Sequence, residues 1–130
     1  MRNDITIGDK VIPMASNALT PILYRQIFKK DFLREISGFI ALKGKNPKDY
    51  TEEDISSVTA RSEAFSRLAF VMAKQAELEK AAELTKLTEL DYFDWLCGFE
   101  NQQFSEAGTL TKILNIWKGN AEDSQVESKN

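Results

Sequence analysis

The sequence predicts a mostly α fold: a small helical domain of four to five helices behind a short N-terminal β-hairpin. Three observations predict it. Apolar residues recur at steps of three and four from Leu23 to Trp117, the period of one helix face. β-Branched residues pair up around a Gly-Asp dipeptide only near the start, as Ile5-Thr6-Ile7 and Val11-Ile12. Helix punctuation brackets the periodic segments, with Thr20-Pro21 and Thr51 at starts and Gly119 at an end. The expected organisation is a hairpin arm over 1–18, a helical domain over 19–119 and a disordered tail over 120–130.

In the arm, Gly8-Asp9-Lys10 separates the two β-branched runs and reads as a hairpin turn. Pro13 has no N–H for a ladder and is expected at a strand end or edge. A lone two-stranded hairpin is marginal in water. It therefore lies on the helical body as a lid, or its edge pairs with a second subunit.

Helix one is expected from Thr20 as N-cap with Pro21 in the first turn. Leu19 and Tyr24 occupy staple positions. Its stripe is Leu23, Ile27, Phe28, Phe32, Leu33, Ile36, Phe39 and Ile40, opposite a basic face of Arg25, Lys29, Lys30 and Arg34. Asp31 is the possible break into two shorter helices. Helix two opens at Thr51 and carries Ile55, Val58, Phe65, Leu68, Met72 and Ala76 at helical spacing. The run Glu77–Leu87 is rich in strong helix formers and either extends helix two or forms a separate helix. Helix three is short, with Asp91 as its expected cap and Tyr92, Phe93, Leu96 and Phe99 as an aromatic face. Helix four follows Ser105, with Leu110, Ile113, Leu114 and Trp117 in one stripe and Gly119 as a left-handed C-cap. Beyond it, Val126 is the only sizeable apolar residue, too little to drive folding.

The chain has 130 residues and a net charge of −3. A length of this order suits one domain. The acidic balance argues against nucleic acid, whose binding needs a strong positive surplus. No run approaches the roughly 18 uninterrupted apolar residues of a membrane span. With one cysteine and no apolar leader, the expected compartment is a reducing cytoplasm.

Chemistry is nearly absent from the sequence. There is no histidine, which removes the commonest general base and zinc ligand. Cys97 lacks a partner to activate it and reads as structural. Glu52-Glu53-Asp54 and Asp91…Asp94 read as helix N-terminal acids that favour the dipole. No phosphate loop or dinucleotide motif is present. The expectation is a non-enzyme with no catalytic, cofactor or metal residues and no cofactor.

Aromatic residues are the excess. Tyr24, Phe28 and Phe32 stand at i, i+4 and i+8 beside a second line of Ile27, Leu33 and Ile36, and Phe70-Val71 fall partly off the stripe of helix two. A stripe this wide exceeds one packing surface. Either the surplus forms a protein-binding surface of Tyr24, Phe28, Phe32 and Phe70, or the helices are enclosed within a larger core.

The order of these motifs resembles the tail assembly chaperones of long-tailed, siphovirus-like bacteriophages or prophages of Gram-positive bacteria. The resemblance runs over residues 4–118. It rests on the strand pair ending at Pro13, on Thr20-Pro21…Tyr24-Arg25…Phe28…Asp31, on Leu68-Ala69-Phe70-Val71-Met72-Ala73-Lys74-Gln75-Ala76, on Phe93-Asp94-Trp95-Leu96…Phe99, and on a last helix ending near Trp117. The run Glu77–Leu90 departs from the family's shorter link. The resemblance implies a chaperone of virion assembly in the bacterial host cytoplasm. It would coat and solubilise the tape measure protein, help recruit the tail tube protein, and act as a homo-oligomer without nucleic acid or membrane. In many phages a ribosomal frameshift extends such a chain; Ser128-Lys129-Asn130 is compatible with a slippery A-AAA-AAC heptamer. The competing reading is a small helical adaptor or regulator of a mobile element that binds a single protein partner.

Overall fold

A computed structural model describes residues 1–35, 47–49, 51–100 and 103–119, without the side chains of residues 47, 53–61, 105 and 107. The expected disordered tail and the apolar positions Ile36, Phe39, Ile40, Ile55 and Val58 lie outside this description. The fold is mostly helical behind an antiparallel hairpin. Its elements are β1 (Arg2–Ile7), β2 (Lys10–Ala15), α1 (Thr20–Phe28), α2 (Glu52–Leu78), α3 (Ala81–Leu84), α4 (Glu89–Leu96) and α5 (Ala107–Lys118), with short 3-10 turns at Pro47–Asp49 and Gln103–Ser105. Among the described residues, no helix is long and apolar enough to cross a membrane.

The hairpin turns on Gly8-Asp9, with Gly8 at φ +66°, a left-handed angle that glycine adopts without steric cost. Register pairs Ile7 with Lys10, Ile5 with Ile12 and Asp4 with Pro13. Met1 and Ser16 exchange both backbone bonds, at 2.7 Å each. Hydrogen-bonded and non-bonded pairs alternate in an antiparallel ladder, so Pro13 falls at a non-bonded position. Its missing N–H costs the ladder nothing, and it blunts the free edge of β2. Ile5, Ile7 and Met14 point inward and are buried. The hairpin is thus a lid on the core of its own chain. Arg2 binds it to the end of α2, donating to the Ala76 carbonyl at 2.9 Å, where a cation favours the helix dipole.

Helix α2 is the central element. Every residue from Leu68 to Ala73 is buried, because the hairpin, α1, α4 and α5 all pack on it. A helix that is apolar on all sides is an enclosed one. It ends at Glu79, which takes φ +64°, and α3 follows as a separate turn. Of the two expectations for Glu77–Leu87, the separate helix is the one observed.

Helix α1 ends at Phe28, earlier than the stripe suggests. Lys29 takes φ 59° and its N–H bonds the Arg25 carbonyl. A new helical turn then starts over 32–35, with the Asp31 carboxylate accepting from the Leu33 N–H at 3.1 Å. Asp31 therefore starts the second segment, just after the break. Thr20 is not an N-cap: it lies inside the helix and makes no capping bond. Its hydroxyl instead donates to Gln75 Oε1 at 2.6 Å and accepts from the Asn17 N–H at 2.9 Å. Gln75 also donates to Asn17 Oδ1 at 3.0 Å. This trio, buried at Thr20 and Gln75, ties the start of α1 to α2.

The cap of helix α4 lies three residues before the expected one. Thr88 is the N-cap, and with Asp91 it forms a complete capping box. Gly119 closes α5 in the left-handed conformation at φ 75°, as its position predicts.

Candidate partner-binding surface

The four residues predicted to meet a partner lie in the interior. Tyr24 and Phe70 are fully buried, and Phe28 and Phe32 are 5% and 2% exposed. As a surface they are corrected. The break at Lys29 is the reason: Tyr24 and Phe28 reach the core from α1, while Phe32 enters from the next segment. What reads in sequence as one over-wide stripe is two narrow ones converging. Phe28 packs edge-on against Tyr92 at 5.0 Å and Phe70 at 6.3 Å. Phe32 meets Trp117 at 5.2 Å and Phe65 at 5.7 Å. Such edge-to-face pairs each contribute about 0.5–1.5 kcal/mol beyond area burial.

The tyrosine is also held by charge. Its hydroxyl donates to Glu35 and accepts from Arg67 Nε at 3.0 Å. Arg67 closes the triangle with a 2.8 Å ion pair to Glu35. Burial pushes the Tyr24 hydroxyl well above the ordinary tyrosine range, and its bond to Glu35 adds to this. Burial alone would lower the Arg67 guanidinium. The bond and the electrostatic attraction to Tyr24, and the charge of Glu35, outweigh it and hold the group above its usual value. Tyr92 is raised mainly by burial, with a 2.7 Å contact to Ser66 working against the rise. These groups fix α1 and the segment after it onto α2.

The apolar exterior is formed by different residues. Val11, Ile22, Leu33, Leu90 and Phe93 are 66%, 47%, 59%, 71% and 50% exposed. Leu90 and Phe93 are adjacent, one turn apart on the outer face of α4. Cys97 follows on the same face, exposed at the helix end. Phe93, expected in the aromatic face, lies on this exterior. The residue that turns inward is Tyr92. A stripe reading anchored on Thr88 rather than Asp91 would have separated them.

Of the expected basic face, Arg25, Lys29, Lys30 and Arg34 are all exposed, but α1 carries only Arg25; the other three follow its end at Phe28. Glu52 opens α2, as its dipole reading requires. Among the described residues, no group of three or more His, Cys, Asp or Glu side chains could hold a metal. An open groove of about 240 Å³ runs between β1 and α5, lined by Asn3, Asp4, Thr6, Lys112 and Asn115.

Comparison of the chain with family models, with characterised proteins and with solved structures gives no match.

Proposed function

We propose that this chain is a phage tail assembly chaperone, a cytoplasmic protein that binds and solubilises the tape measure protein and helps recruit tail tube subunits. The observation that carries the reading is the pair Leu90 and Phe93, left on the outside of α4 after a complete aromatic core has formed beneath it. Large apolar side chains side by side on an exterior mark a protein contact. The order of sequence motifs along residues 4–118 supports the specific role.

The mechanism follows from ordinary helix recognition. A tape measure protein is largely helical with apolar repeats, and a helical body with apolar exterior residues covers such stretches by side-to-side contact. Each contact is small, so affinity per copy is moderate and retention comes from many copies on one long partner. Tube subunits then displace the coat as they assemble.

Co-expression tests the reading. With this chain present, a tape measure protein is expected in the soluble fraction and to co-purify with it. An insoluble tape measure beside a folded, soluble chaperone would contradict the role. Co-purification with a short regulatory protein in its place would favour the adaptor.

A further inference from the structure

The two free edges of the hairpin are unequal. Met1 pairs with Ser16 through two backbone bonds, and the ladder runs from there to Ile7 and Lys10. Bonded and non-bonded pairs alternate, so the backbone N–H and C=O groups of Asp4 and Thr6 point away from β2. Pro13, opposite Asp4, removes the matching donor from the far edge. That edge is blunted, and the edge of β1 is not. Among the described residues, Thr6 makes no backbone bond outside the ladder, and the Asp4 N–H meets only the exposed Asn3 side chain, at 3.0 Å. The groove of about 240 Å³ against α5 opens along this edge, with Ile5 and Ile116 buried beneath it and Lys112 on its far wall. Lys112 is exposed and enters no ion pair among the described residues.

We propose that this edge and groove bind an extended segment of another protein, which adds to β1 as a third strand. The outward donors and acceptors recur every two residues, about 6.8 Å along a strand. A second extended backbone matches that spacing, whereas a helix has its own groups bonded internally. A strand seated here turns every second side chain toward α5. One such position lies over Ile5 and Ile116 and takes a small apolar residue. A position two residues away reaches Lys112 and takes an acid. β1 of a second copy does not fit this pattern: its isoleucines, Ile5 and Ile7, share one face, and its acid, Asp4, falls on the opposite one. The site uses no residue of α4 and stands whether or not the chaperone reading holds.

A short peptide with that pattern, acetyl-Thr-Val-Thr-Glu-Thr-amide, tests it. The full-length chain is titrated with the peptide to about 1 mM while two-dimensional NMR follows the backbone amides. Shifts are expected at Asp4 and Thr6, with hydrogen exchange at both slowed on binding. Two further peptides carry N-methyl groups on one or the other set of alternate residues. Only one edge of an added strand faces β1, so one of these is expected to lose binding and the other to keep it. Thr6→Pro removes an outward donor at a position where the ladder needs none. It should weaken binding about tenfold, the loss of one backbone bond, with circular dichroism unchanged. Lys112→Glu should reverse the charge preference, so that the peptide with Lys in place of Glu binds better. An absence of shifts at β1, shifts confined to α4, or binding that survives both methylated sets overturns the proposal. So does slow exchange at Asp4 and Thr6 before any peptide is added: if it depends on concentration, a second copy occupies the edge, and if it does not, another part of this chain does.

Discussion

Replacing Phe70 with alanine separates an interior role from a contact role for the residue most central to the aromatic core. Phe70 is fully buried in mid-α2, with its ring 5.6 Å from Tyr92, 5.7 Å from Trp95 and 6.3 Å from Phe28. The Lys74 ammonium lies 5.9 Å from its centroid. Loss of the ring removes about 1.5–3 kcal/mol of transfer free energy. It also leaves a cavity lined from α1, α2 and α4, which closes poorly. Together these give about 3–5 kcal/mol, the range for Phe→Ala in a packed core. Against the roughly 5–15 kcal/mol of a typical domain, that is a large share. Denaturant melts of Phe70→Ala and the unaltered chain measure it directly, with the slope checked for two-state behaviour. A loss below about 1 kcal/mol, with the helical signal intact, would refute the packing argument and return Phe70 to the surface.

Three further outcomes follow from the same contacts. Arg67→Met should cost about 1–3 kcal/mol, because Glu35 and the Tyr24 hydroxyl lose their common donor in a largely buried setting; a double-mutant cycle with Glu35→Gln should show coupling, and strict additivity would contradict the triangle. Stability should fall as pH rises above about 10, since Tyr24 and Tyr92 both hold their protons more tightly in the folded state than in the unfolded chain. Their contribution is complete below that pH and is lost toward the higher folded values; Tyr24→Phe should flatten the fall, and an unchanged alkaline limb would rule this cause out. Thr88→Ala should cost about 1 kcal/mol by removing the capping box of α4, whereas Asp94→Ala, outside the box, should change stability by less than about 0.5 kcal/mol.

Punctuation by glycine and proline was legible. Gly8 turned the hairpin, Pro13 took a position where no N–H is needed, and Gly119 closed the last helix. Two breaks carried no such mark. Lys29 and Glu79 both adopt left-handed backbone angles, a conformation uncommon for non-glycine residues, so the sequence left open whether helix one breaks near Asp31 and whether α2 runs on past Glu77. Taking Tyr24, Phe28 and Phe32 as one stripe across the first of these breaks is what put them on a surface. Periodicity shows which residues are apolar on a face but not how many elements surround the helix. Phe70 looks surplus until α1 and α4 are known to meet over it, with Phe28, Tyr92 and Trp95 around its ring. Trp117 is only partly buried, and its neighbour Ile116 is the side chain that α5 seals inside. The Tyr24–Glu35–Arg67 triangle joins positions with no sequence pattern between them, and only the tertiary fold brings them together.

A refolding titration tests the chaperone reading most directly. A tape measure protein is diluted from denaturant into increasing amounts of this chain, and light scattering follows its aggregation. Suppression is expected to saturate at many chains per tape measure, in proportion to its length, and to disappear when Leu90 and Phe93 are both changed to serine while the fold persists. Scattering that is the same with or without the chain would contradict it.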